Sequence, residues 1–267
     1  KPVKRVVATH HHPDHIGFHG WFVEEFGAEY VSTQVAYLMG RMLTMDIQER
    51  YTEGQIEFYR RAGMRAELLA ARQDERPFNF SDIVHPIPIG FTRIEEGDVI
   101  EMGGRRWDVR VDHGHAPDHA TFWSRDDNLV LCGDQVIASI SSNIGVYPTE
   151  PDANPLADWL DSCARLQNFA RADHLALPGH KLPFVGIPLR LRQLEENHHG
   201  ALTRLRADLK TPKTAGEVMM AVFKRQIGDG EYGLGLVEAL AHCNYLWHAG
   251  EVTRSLHQDG AYRWVMN

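Results

Sequence analysis

The sequence has 267 residues, 43% of them hydrophobic, and a formal net charge of −8. That length supplies a core for one large domain, or a large and a small one, and the acidic balance argues against a field that gathers nucleic acid or anionic membrane. No apolar run nears the roughly 18–20 residues that span a bilayer, no secretory signal is visible, and three scattered cysteines (Cys132, Cys163, Cys243) fit no disulfide or CxxC scheme, so a reducing cytoplasm is the expected compartment.

In chain order, residues 3–8 read as a buried strand and 16–26 as an amphipathic helix closed by Gly27. Residues 29–33 read as a second strand, which makes a β-loop-α-β unit with parallel pairing. Residues 34–72 read as helical and rich in Arg, Met and aromatics, the makeup of a lid-like insertion. From residue 87 the texture changes to short strands and turns, with strands over 99–100, 107–111, 121–124 and 128–132. Asn154-Pro155 opens a helix to about residue 170. A strand over 173–177 and a long helix over 189–209 follow. Residues 210–214 read as a linker. Thr214 and Glu217 form a capping box for a helix over 215–227, and a helix over 233–248 and a hairpin over 252–265 complete a small winged-helix-like unit. The expected domains are therefore 1–211 and 212–267.

Between the first strand and the first helix lies His10-His11-His12-Pro13-Asp14-His15. Its His-x-His-x-Asp-His spacing sets four metal-binding side chains in six residues at a strand end, where rigid scaffolds build sites. Imidazole and carboxylate suit zinc, iron, manganese or nickel. In an extended start, His10 and His12 project one way and His11 the other. Three later positions share one form, a metal-binding residue directly after glycine at a strand end: Gly114-His115, Gly133-Asp134 and Gly179-His180. Glycine permits the sharp turn and close approach that such a loop needs. The sequence carries sixteen histidines; those outside these motifs are expected on the surface or in the core.

His10, His12, Asp14, His15, His115, Asp134 and His180, in this order, resemble the metallo-β-lactamase-fold hydrolase superfamily over about residues 1–200. The tail resembles the winged-helix appendage of one hydroxyacylglutathione hydrolase-like branch. The resemblance implies an αββα sandwich of mixed α/β class. Members usually have several strands before the first histidine motif, and one is present here, so the sandwich is expected to be N-terminally incomplete. It also implies a binuclear centre: His10, His12 and His115 on one metal, Asp14, His15 and His180 on the other, Asp134 bridging. His119 and Asp118 would stand behind the ligands, Asp118 where many relatives have glycine. Two divalent ions, foremost Zn2+, with Fe or Mn as alternatives, would share a water and lower its pKa toward neutrality, giving a metal-bound hydroxide. Asp14 and Asp134 are the expected catalytic carboxylates.

The substrate expected on this reading is a small ester, thioester or lactone. The alternative is a ribonuclease or phosphodiesterase of the same fold, but residues 198–267 carry eight Lys/Arg against seven Asp/Glu, without the basic footprint of nucleic-acid binding. A mono-iron dioxygenase using His10, His12 and His115 is the third reading. No membrane partner is expected. A homodimer through apolar surface around Leu236, Leu240 and Trp247 is the partner arrangement left open.

Overall fold

The computed structural model describes residues 3–267. The chain forms two compact units. The first takes the segments up to Gln48, Phe78–Ser142 and Ser162–Arg192; the second takes Glu49–Pro77, Asn143–Asp161 and Gln193–Asn267. The helices are α1 (Pro13–Ile16), α2 (His19–Phe26), α3 (Gln34–Met45), α4 (Glu53–Arg61), α5 (Ala66–Asp74), α6 (Pro155–Gln167), α7 (Ile187–Asp208), α8 (Met219–Phe223) and α9 (Tyr232–His248). No helix among the described residues is long and apolar enough to cross a membrane.

Two sheets build the first unit. Strands β1 (Arg5–Val7), β2 (Glu29–Ser32) and β3 (Thr92–Arg93) pair in parallel in that order. Strands β4 (Val99–Met102), β5 (Arg105–Asp112), β6 (His119–Ser124), β7 (Leu129–Gly133), β8 (Leu175–Pro178) and β9 (Phe184–Val185) follow one another across the second sheet. They are antiparallel except for β7 and β8.

Alternation along the strands sorts side chains into layers. Val6 of β1 and Tyr30 of β2 pack with Ile16, Tyr37, Val84 and Ile87 on the helical side. Val7 and Val31, one residue on, meet Trp107 and Val109 of β5 and Ala120 and Phe122 of β6 between the sheets. Trp123 of β6 points to the opposite face, 5.3 Å from the His174 ring and 6.5 Å from Phe169. The outcome is the expected sandwich, helix–sheet–sheet–helix. Gly27 ends α2 in the left-handed region at φ +64°, its N–H donating to Val23 O, as the sequence predicts.

At the end of β5 the fully buried Asp112 accepts from Thr121 Oγ1 at 3.2 Å and pairs with Arg165 of α6. Burial pushes its carboxyl up to about 6 against the pull of Arg165. A raised carboxyl pKa means that the fold favours the protonated form, so this group's contribution to stability is present below about pH 4 and is lost as pH rises through about 6. Arg165→Ala strands the buried carboxylate and is expected to cost on the order of 3 kcal/mol at pH 8. At pH 5, where Asp112 is largely protonated, the cost should be distinctly smaller. Urea unfolding at the two pH values checks this; equal losses would show that Arg165 acts through packing alone.

In the second unit, α4 opens on a capping box between Thr52 and Gln55, and α9 is buried along most of its length. Strands β10 (Val252–Leu256) and β11 (Tyr262–Met266) form the hairpin. Arg254 stacks 3.8 Å from the Trp247 ring centroid and 4.5 Å from that of Tyr262. Leu236 and Leu240 are buried within the chain. Three sequence expectations change here. Residues 34–72 are not one insertion: α3 belongs to the first unit, α4 and α5 to the second. Residues 210–214 are not a free linker, because Lys213 exchanges backbone hydrogen bonds with Trp264 at 2.8 and 3.1 Å and Thr214 is buried. The capping box of Thr214 and Glu217 forms, yet the helix runs only over α8. The Gly216 N–H donates to Ala62 O, and Lys224 in the left-handed region (φ +58°) ends the turn.

Candidate metal centre

The His-rich loop leaves β1 and is folded back by α1. His12 caps that short helix, its carbonyl accepting from the N–H groups of His15 and Ile16 at 3.0 and 3.1 Å. This turn brings Asp14 and His15 around beside His10 and His12. Thr9 Oγ1 lies 3.0 Å from His10 Nδ1, which leaves His10 Nε2 directed at His12 Nδ1, also 3.0 Å away. The loop is tied to the second sheet through the Ala120 N–H, which donates to Thr9 O at 2.7 Å.

That sheet delivers the remaining side chains: His115 between β5 and β6, Asp134 directly after β7, and His180 just beyond β8. Three groupings result, each with candidate ligand atoms within 4.8 Å of one another: His10, His12 and His115; His10, His15 and Asp134; Asp14, His15 and His180. Asp134 faces several of these groups. One carboxylate oxygen is 3.3 Å from His15 Nε2; the other is 3.3 Å from His180 Nε2 and 3.6 Å from His115 Nε2. Asp14 lies 3.1 Å from His180 Nε2 and 3.5 Å from His15 Nε2. All seven sequence-predicted ligands therefore converge.

The electrostatics divide the cluster. Burial, reinforced by neighbouring imidazoles, holds His10 and His12 well below the usual histidine range. They are neutral at pH 7, the form in which an imidazole nitrogen binds a metal. Burial also opposes protonation of His15, but its contact with Asp134 and the charges of Asp134 and Asp14 outweigh that and raise its pKa. Asp134 is held below the usual carboxylate range because His15, His115 and His180 outweigh its own burial. The inner side is thus neutral imidazole and the outer side carries carboxylate beside histidine. Neutral nitrogen donors with two carboxylates are a fitting donor set for one or two divalent cations.

Close approach explains the glycines. A Cβ on Gly179 would overlap Asp134 Oδ1 and lie 2.6 Å from His15 Cε1. Gly133 sits in the left-handed region (φ +48°), and a Cβ there would lie 2.6 Å from the His119 ring. His11, set apart from the ligands by the alternation argument, is buried and stacks toward Phe80 at 6.4 Å. His119 is fully buried, with Nε2 2.9 Å from the Asp134 backbone nitrogen. Asp118 is not drawn into any of the three groupings; it faces His113 Nδ1 at 3.6 Å. Sequence reasoning missed Thr9, whose place beside the first histidine of the cluster was the available signal.

Residues 1–180 match the family model described as metallo-beta-lactamase superfamily, and residues 202–267 match that of the metallo-beta-lactamase-like C-terminal domain. The chain is 26% identical over 249 residues to the probable metallo-hydrolase YqjP of Bacillus subtilis (strain 168), covering 91% of this chain and 75% of that protein. A crystal structure of a beta-lactamase domain protein from Burkholderia ambifaria superposes with a TM-score of 0.87 at 32% identity, covering 100% of this chain and 74% of that one. A metallo-beta-lactamase family protein from Thermus thermophilus gives 0.79 at 30% identity, covering 99% and 80%.

Proposed function

Because the chain belongs to the metallo-β-lactamase superfamily, we propose that it is a binuclear metal-dependent hydrolase acting on a small ester, thioester or lactone. The observation that carries this is Asp134, whose two carboxylate oxygens reach His115 of one grouping and His15 and His180 of another. On this reading His10, His12 and His115 hold one divalent ion, Asp14, His15 and His180 hold a second, and Asp134 contributes to both. Zinc is the ion we favour. Bound there, the ions would supply Lewis acidity and a water of lowered pKa.

The chain's own residues set the rest. The neutral His10, buried, and His12, half-buried, can offer ring nitrogens to an ion. Asp14, with its side chain 54% exposed, is the carboxylate at the open side and can accept a hydrogen bond from water or from a substrate hydroxyl. A net charge of −8 disfavours a polyanionic substrate and supports a small uncharged or weakly charged one. We read α8, α9 and the β10–β11 hairpin as a winged-helix-like appendage of the hydroxyacylglutathione hydrolase-like branch.

The test is a panel of thioesters, lactones and simple esters, with RNA and a phosphodiester alongside, assayed before and after chelation and after return of Zn2+, Mn2+ or Fe2+. Thioester, ester or lactone turnover that falls at least about a hundredfold on chelation and returns with metal is the expected result. Full activity in chelator would remove the mechanism. Turnover confined to RNA or the phosphodiester would replace the substrate class.

A further inference from the structure

One buried histidine lies against the cluster without joining any of its groupings. His119 is the first residue of β6, where Asp112 of β5 pairs with it, so its backbone is fixed by the sheet. Its Nε2 lies 2.9 Å from the backbone nitrogen of Asp134 and accepts that N–H. A neutral imidazole that accepts at Nε2 carries its proton on Nδ1. The other side of the relation is the ring, stacked on His10 at 4.7 Å between centroids and 26° between planes. Room for it is made by Gly133, the one residue between β7's apolar run and Asp134, where any Cβ would lie 2.6 Å from the His119 Cε1 and Nε2 atoms.

We infer that His119 is a positioning residue that locks the backbone of Asp134 against the ring of His10, and so fixes where the shared carboxylate stands between the two ion positions. The inference rests on the binuclear reading above. Asp134 follows directly on a strand end at a left-handed glycine, and its carbonyl accepts from Ser142 Oγ. Its N–H is the group through which the rigid second sheet can set the direction of its side chain. One hydrogen bond and one stacked ring thereby connect a residue of the inner grouping with the carboxylate that faces the outer one. His119 joins none of the three groupings; it acts through Asp134 and His10.

Two substitutions separate this role from packing. His119→Gln keeps an acceptor at about the reach of Nε2 but gives up the ring. His119→Phe keeps a stacked ring of similar volume but gives up the acceptor. Metal content is measured on wild type and both variants, with Zn2+ affinity by chelator competition, the Co2+ absorption spectrum, and melting of the metal-free proteins. The expected result is two ions in the wild type, near-wild-type affinity and an unchanged Co2+ spectrum in His119→Gln, and a 10–100-fold weaker ion with an altered spectrum in His119→Phe, the range that loss of a partner behind a ligand costs. Equal affinities in all three proteins, or a Phe variant that binds better than the Gln variant, would overturn the inference and leave the binuclear reading standing. A wild type that takes up fewer than two ions would overturn that reading and this inference with it. A general packing defect would lower the metal-free melting temperature of the Gln variant more than that of the Phe variant, and the affinities would follow in that order, against the proposal.

Discussion

Asp134→Asn is expected to lose more than about a hundredfold in hydrolytic rate, beyond what removal of a partner behind a metal ligand costs, and to retain at most one ion. The amide preserves shape and removes the charge. In the native chain the two carboxylate oxygens lie 3.3–3.6 Å from the Nε2 atoms of His15, His115 and His180, so the substitution sets an NH2 group against nitrogen atoms whose lone pairs are needed for ions. The fold should survive. The Asp134 backbone keeps its N–H bond to His119 and its carbonyl bond from Ser142, and the sandwich core lies elsewhere, around Trp107, Val109 and Phe122. Metal analysis, a kinetic trace with whichever panel substrate is turned over best and a circular dichroism melt settle the matter together. A folded variant with two ions and full rate would show that Asp134 is not shared.

Local chemistry made most of this site readable in the sequence. A ligand motif confined to six residues, the alternation of His10, His11 and His12, and the three Gly-ligand pairs at strand ends all depend on near neighbours. The β1-loop-α2-β2 unit and the Gly27 cap are legible for the same reason. What escaped is set by contacts distant in sequence. Residues 34–72 have one helical texture, but nothing local records that α3 stays with the sandwich while α4 and α5 join α9 in another unit. Residues 210–214 have a linker's polarity, yet the Lys213 backbone is captured by Trp264, 51 positions on. The helix expected over 215–227 is confined to α8, which Lys224 ends in the left-handed region. Thr9 was overlooked because a hydroxyl beside a histidine gains meaning only when the ring's other nitrogen is seen to face His12. Asp118, expected behind the ligands, faces His113 Nδ1 at 3.6 Å in the fold.

Gly179→Ala is expected to be nearly as damaging as loss of Asp134, although it deletes no ligand. Its backbone is not in the left-handed region, so alanine brings no strain of φ there; the N–H donates to Gly133 O at 2.7 Å and holds the β8 end against the β7 end. The added methyl would meet Asp134 Oδ1 and His15 Cε1. Asp134 and His15 are movable side chains and the Gly133 backbone carbon, 3.3 Å away, need give only slightly, so the chain can fold by swinging the two side chains aside, and both belong to the cluster itself. Activity should fall more than about a hundredfold with weaker metal uptake, while the metal-free protein loses only about 1–2 kcal/mol, the smaller part of the range for overpacking a rigid core. Gly27→Ala is the matching control. That glycine sits at φ +64° with open space around its Cβ direction, so alanine there should cost about 1 kcal/mol of stability through the left-handed backbone alone and leave rate and metal uptake unchanged. Chemical denaturation and metal titration of the two variants in parallel would show whether loss of function follows loss of stability. If Gly179→Ala bound metal as the wild type does, the close packing of the β8 loop on Asp134 and His15 would carry no functional weight.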